Sequence, residues 1–321
     1  MDRRCRARIG YGMSTVQVSL FGRFRVQHEG EDVAGLEARK AQDLLAYLLI
    51  YRDRPHAREV LAELFWGERS SSQSKKYLRQ ALWQVQSALD EGIADSGPPL
   101  LLVDGEWVRM NEDADYWLDV ALFEQAYGLV RGTSGREMNG QCAEALRAAV
   151  ELYRGDLLEG CYQDWCLYER ERLQNTYLSM LGKLIACCEA HGQFDDGLAF
   201  GERILRQDRA HERAHRCMMR LHYLAGNRTE ALRQYERCVE ALREELGVKP
   251  ARRTVALYER LRADRLEDPA QVFDQGATDL EASTLPELLA RLKRLQVALA
   301  GVQGEIQQNI DAVQTALNLR R

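Results

Sequence analysis

Apolar positions follow three successive rhythms along the chain. In Val16 to Phe21 and Phe24 to Gln27 they alternate with polar ones around Gly22-Arg23, which predicts two short strands and a turn. Val33, after the turn Glu29-Gly30-Glu31-Asp32, extends the same small sheet. From Glu37 the period lengthens. Leu44, Leu45, Leu48 and Leu49 recur at helical spacing, and the helix ends near Arg52, before Pro55. A second helix is expected at about 57–65, with Val60, Leu61 and Leu64 on one face. Gly67 and Ser70-Ser71-Ser72 form a loop whose serines are placed to cap a third helix over about 73–90. Leu78, Ala81, Leu82, Val85 and Leu89 are its buried stripe. Leu100 to Val103 and Glu106 to Met110 flank Asp104-Gly105, a hairpin signal because both turn residues tolerate positive φ. Strands, three helices and a hairpin are the layout of a winged helix-turn-helix.

From Asp119 the pattern is helical almost throughout. His191 to Leu198 aligns with Ala225 to Leu232, so that Gly192 and Gly226 stand 34 residues apart, the tetratricopeptide period. Small residues such as Ala231 let paired helices approach. Cys142 to Tyr153 reads as part of an earlier, divergent unit. A third rhythm starts at Leu285: Leu285, Leu288, Leu292, Leu295, Leu299, Val302 and Ile306 form a heptad seam, and Ile310, Val313 and Leu317 continue it after a stutter. The expected fold class is mainly α with a small β component. Its divisions are an N-terminal extension without order at 1–15, a winged-helix domain at 16–112, a TPR-like helical domain at 113–265, a linker at 266–284 and an amphipathic helix at 285–319.

Composition narrows the class. Hydrophobic residues make up 45% of the 321 positions and charged residues 29%, as in folded soluble proteins. No apolar run approaches the ~18–20 residues of a membrane span. Arg3, Arg4, Arg6 and Arg8 are followed by no apolar core of a secretory signal, so a cytoplasmic location is expected. The eight cysteines contain no CxxC pair and read as reduced, buried thiols. Six scattered histidines form neither HExxH nor any other catalytic pattern, and His211/His215 reads as a surface pair. No catalytic, metal or cofactor residues are therefore expected, and no enzyme.

On the third helix, the side opposite the apolar stripe carries Gln73, Lys76, Gln80, Trp83, Gln84 and Ser87, flanked by Lys75 and Arg79. Gln pairs with adenine, and Arg or Lys with guanine, in the major groove. Lys76, Arg79, Gln80 and Gln84 are thus candidates for base contact and Lys75 for phosphate; the competing reading is an ordinary solvated face. Trp83 is expected to pack against the hairpin or near Trp66. Arg39 and Lys40 read equally as phosphate contacts or as plain surface charges. Net charge is −5, and residues 1–110 hold 16 basic against 15 acidic residues. One copy would lack much of the usual non-specific attraction to DNA. Two linked copies would restore it through effective concentration. The seam residues Leu288, Leu292, Leu295, Leu299, Val302, Ile306, Ile310 and Val313 are the candidates for that homodimer, the alternative being a helix folded back on its own chain.

Several segments resemble a known family. Arg39-Lys40-Ala41, Leu44 to Leu48, Arg54-Pro55, Leu61 and Leu64-Phe65-Trp66 look like the first two winged-helix helices of the Streptomyces antibiotic regulatory protein family, and Tyr77 to Leu82 resembles its recognition helix. Tyr153 to Gly160, Asp164-Trp165, Glu169 to Leu173, Glu230 to Glu236 and Glu244 to Pro250 resemble the bacterial transcriptional activator domain. The resemblance spans roughly 16–262. It implies a regulator that binds double-stranded DNA and contacts RNA polymerase; separately, stacked helix pairs present a concave groove suited to an effector or protein segment. The chain departs from the family in its last fifty residues, in having no GxxxxGK[ST] loop, and in the acidic Asp104 and Glu106 at the hairpin tip. The alternative reading is a protein-interaction scaffold that reuses the winged helix for protein contacts. From the seam, truncation after Thr284 is expected to lower the mass measured by light scattering; an unchanged mass would remove the coiled-coil dimer.

Overall fold

The computed structural model describes residues 16–92 and 98–265. The expected extension at 1–15, the linker at 266–284 and the heptad helix at 285–319 lie outside these residues, as do Leu288, Leu292, Leu295, Leu299, Val302, Ile306, Ile310 and Val313. The described residues fall into two units, one ending at 258 and one beginning at 259. Of the second, the described part ends helix α10 (Arg252–Arg262) and includes an Arg262–Glu259 ion pair at 2.9 Å.

The N-terminal sheet begins with β1 (Val16–Ser19), whose Val16 and Val18 turn inward, and β2 (Arg25–His28), antiparallel to it with Val18 opposite Val26. Glu29 and Gly30 both carry positive φ, so a tight turn leads into β3 (Glu31–Asp32). Glu31 and Asp32 are thus strand rather than turn. A fourth strand, β7 (Tyr116–Leu118), lies parallel to β1 and pairs Val18 with Leu118. The sequence pattern does not show this strand, because three residues are too few to alternate and its partner is far away in the chain.

Helix α1 (Arg39–Ile50) is apolar nearly all round, from Ala41 to Ile50, and is buried accordingly. After β4 (His56–Ala57) comes α2 (Arg58–Trp66), which buries Leu61, Ala62 and Phe65. Val60 and Leu64, expected on the inner face, are exposed, because burial follows the 61/65 line. Helix α3 (Ser71–Gly92) buries Leu78, Ala81, Leu82, Val85 and Leu89, the stripe its periodicity predicts. The hairpin β5 (Leu101–Asp104) and β6 (Trp107–Met110) pairs with β4 to form the second sheet. Asp104 pairs with Trp107, so the turn is Gly105-Glu106, with positive φ at Gly105 alone of the two.

The helical part comprises α4 (Asp119–Leu129), α5 (Gly140–Val150), α6 (Asp164–Ala190), α7 (Phe194–Gln207), α8 (Glu212–Leu224) and α9 (Arg228–Leu246), then α10. Gly192 and Gly226, at φ +69° and +79°, make the turns that repeat at 34 residues. Gly197 lets α7 approach α8, since a Cβ there would lie 2.9 Å from Leu221 Cδ1. Ala231, at the matching position of the next pair, is fully buried. No helix among the described residues is long and apolar enough to cross a membrane.

One carboxylate ties the sheet to these helices. Asp119 is 3% exposed, and its Oδ2 accepts from the Leu20 and Phe21 N–H groups at 2.8 and 2.9 Å, while Oδ1 accepts from Val120 N–H at 2.7 Å. The connection is reinforced when Gly22 N–H donates to Asp156 O and Leu158 N–H to Leu20 O. Phe21 packs on Phe123 and Tyr153 with ring centroids 5.1 and 4.9 Å apart. Burial pushes the Asp119 carboxyl up to about 6, while the three N–H donors and the Arg154 charge pull the other way. Asp119→Ala is expected to cost about 2–4 kcal/mol in denaturant unfolding at pH 7, because it strands two buried N–H groups. The raised pKa means the folded chain holds this proton more tightly than the unfolded one. Wild type should therefore gain stability relative to Asp119→Asn as pH falls from 7 to 4, by about 2 kcal/mol.

Candidate nucleic-acid interface

Helix α3 is positioned from below and from both ends. Leu78, Leu82, Val85 and Leu89 anchor its inner side. At its start, the buried Ser74 hydroxyl donates to Trp66 O at 2.8 Å and lies 3.2 Å from Ser70 O, fixing the turn that joins α2 to α3. Towards its end, Gln86, Leu89 and Asp90 line one side of a cleft whose other side is Pro99 to Val103 of the hairpin. The hairpin turn is held to α2: Arg58 N–H donates to Glu106 O at 2.8 Å and Arg58 Nη1 to Gly105 O at 3.3 Å.

The outer face of α3 is open. Gln73, Lys75, Lys76, Tyr77, Arg79, Gln80 and Trp83 are exposed, and Gln84, Gln86 and Ser87 are half-buried. The candidate base contacts Lys76, Arg79 and Gln80 therefore stand together, with Gln84 at the shoulder. Lys75 turns toward α2 and pairs with Glu59 Oε1 at 2.6 Å, which holds the Glu59 carboxyl below its usual range. That pair is solvent-exposed and exchangeable.

Three local expectations change. Trp83 is not packed away: it is 66% exposed. Lys40 is no plain surface charge, because its Nζ donates to Phe65 O at 3.2 Å and lies over the Phe65 ring. Arg39 pairs with Asp43 at 3.2 Å, and Asp43 also accepts from Gln163 at 2.9 Å, so both basic residues at the start of α1 serve internal contacts. At the hairpin, Asp104 and Glu106 are exposed beside Trp107, itself 51% exposed.

A compositional signal in α3 was readable in the sequence. From Ser71 to Leu89 there is no Asp or Glu, and there are three bases, in a chain with 49 acids among 321 residues. About five turns of α3 without an acid, ahead of Asp90 and Glu91 at its end, keep that stretch of the outer face compatible with phosphate.

Other candidates resolve into structure. His215 is buried rather than on the surface: its Nε2 lies 2.9 Å from Arg209 O, and its Nδ1 lies 2.8 Å from Gln234 Nε2. Desolvation holds its imidazole below the usual range, and so neutral. His211 Nδ1 caps α8 by accepting from Ala214 N–H. In the repeats, Arg216, His222, Tyr223 and Tyr235 are half-buried, with Arg216 donating to Thr254 Oγ1 at 2.9 Å and Tyr235 stacked on Tyr258 at 4.1 Å. Among the described residues no group of His, Cys, Asp and Glu is arranged to hold a metal ion.

Comparison with known proteins fits this architecture. The family model described as the bacterial transcriptional activator domain matches residues 118–262. The regulatory protein AfsR of Streptomyces coelicolor is 26% identical over 286 residues, covering 88% of this chain; the chain spans only 27% of AfsR. The transcriptional regulatory protein MoaR1 of Mycobacterium bovis and of Mycobacterium tuberculosis is 24% identical over 277 residues, 83% of this chain and 85% of MoaR1. A solved structure of Mycobacterium tuberculosis EmbR, in complex with a low affinity phosphopeptide, shares the fold with a TM-score of 0.60 at 20% identity, covering 82% of this chain and 69% of that one. Residues 118–262 are thus a bacterial transcriptional activator domain, and over most of its length the chain is similar to regulators of the Streptomyces antibiotic regulatory protein type.

Proposed function

We propose that this chain is a cytoplasmic, DNA-binding transcriptional activator that lays α3 in the major groove. The observation that carries the reading is the open outer face of α3, free of acids from Ser71 to Leu89 and held on a winged-helix frame. Lys76, Arg79, Gln80 and Gln84 face base edges, where Arg and Lys recognise guanine and Gln recognises adenine. Lys75 exchanges its Glu59 partner for a phosphate oxygen. The names of AfsR and MoaR1 as regulatory proteins support the same reading.

As an activator the chain contacts RNA polymerase. Exposed apolar side chains on α2 (Val60, Leu64) and around the start of α6 (Tyr162, Leu167, Tyr168) offer area for such a partner. The near-neutral N-terminal half makes binding by one copy weak, so the 285–319 seam is assigned to a homodimer that adds the second contact. The repeat groove takes an effector or a protein segment, as stacked helix pairs present a concave surface for one.

In mobility-shift assays on genomic fragments, Arg79→Ala and Gln80→Ala should each weaken the specific shift about 10- to 100-fold with unchanged thermal unfolding, since both side chains are exposed. Lys75→Ala should weaken specific and non-specific shifts alike and flatten the salt dependence by about one unit of slope. If the Arg79 and Gln80 variants shift DNA as wild type does, the assignment of this face to DNA fails.

A further inference from the structure

Trp83 occupies the position on α3 that least suits an unliganded surface. It lies seven residues after Lys76, nearly two turns along the same line, and directly opposite the buried line through Leu78 and Val85. No tryptophan among the described residues is more exposed. A large indole kept in water at the centre of a polar face forgoes burial that the fold gives to Trp165, which is 8% exposed.

The surroundings fix the chemistry of its partner. Helical side chains lean toward the helix N-terminus, so the indole covers the turn bearing Arg79 and Gln80. A guanidinium and a carboxamide beside it, with Lys76 beyond and no carboxylate before Asp90, complement a nucleic-acid duplex in charge. In the major groove the apolar group offered by a base pair is the thymine 5-methyl. An adenine held by the Gln80 amide places that methyl on the same base pair.

We propose that Trp83 is a specificity-determining residue that reads a thymine methyl next to the base bonded by Gln80. This inference rests on the reading of α3 as the DNA-contacting helix and adds one element to it. The indole contributes no hydrogen bond to the base. It gains free energy by removing the methyl from water, and it discriminates against cytosine and uracil, which lack that group.

The test uses the full chain and a duplex that wild type selects from a random library. Affinity is read by fluorescence anisotropy on this duplex and on a copy with every thymine replaced by deoxyuridine. That change removes methyl groups and leaves all hydrogen-bonding groups in place. Wild type should bind the uracil copy about fourfold more weakly or worse, the scale expected for one buried methyl. Trp83→Ala should bind the thymine duplex more weakly by a similar factor and should not distinguish the two copies. Trp83→Gln, which keeps a polar surface residue, should behave as the alanine variant does. A wild type indifferent to the methyl groups overturns the inference. So does a variant that loses affinity on both copies while keeping the wild-type ratio, since Trp83 would then rest on the sugar–phosphate backbone. If wild type selects no duplex, the DNA-binding reading fails with it, an outcome separable from the other two.

Discussion

The structure depends on the Asp119 carboxylate, which is buried where strand β7 becomes helix α4 and accepts three backbone N–H groups. Two of those donors, at Leu20 and Phe21, leave the end of β1, where the chain would otherwise carry unpaired buried N–H groups. The same side chain starts α4 by accepting from Val120 N–H, with its negative charge at the helix N-terminus. One residue thus closes the N-terminal sheet and opens the helical domain. Around it the two parts share one core, through Phe21, Phe123, Tyr153 and Tyr177.

That shared core determines how the outer face of α3 is carried. Helix α1 is wedged between α3 and the start of α6, with Tyr47 edge-on to Trp165 at 5.3 Å. Its end is bound by charge: Tyr51 donates to Glu169, Arg172 bridges Glu169 and Glu124, and Arg52 pairs with Glu124 at 3.0 Å. These contacts cross from the winged helix to α4 and α6. A partner seated on the helical domain therefore acts on a body continuous with α3, not on a module hung from a linker.

How much of this the sequence shows depends on the range of the interactions involved. The inner stripe of α3, the 34-residue repeat and the helix-strand order are local periodicities, and they read directly. The pairing of β1 with β7 and the role of Asp119 depend on contacts about a hundred residues apart, so no local pattern carries them. The burial of His215 has no local signature for a related reason: its partners, Arg209 O and Gln234, come from a loop and a second helix. Lys40 looks like surface charge in sequence, and only the fold brings the α2 carbonyl at Phe65 within its reach. For the candidate interface, residue type and helical phase pick out Lys76, Arg79 and Gln80. The exposure of Trp83 needed the structure, because an isolated tryptophan in a sequence is more readily placed in a core.

The central claim is that the outer face of α3 meets a duplex. Lysine acetylation mapped by mass spectrometry, with and without saturating DNA, addresses it in the intact chain. Lys76 sits on that face and Lys249 in the segment between α9 and α10. DNA should protect Lys76 strongly and leave Lys249 as reactive as before. Protection of Lys249 with Lys76 unchanged would contradict the claim.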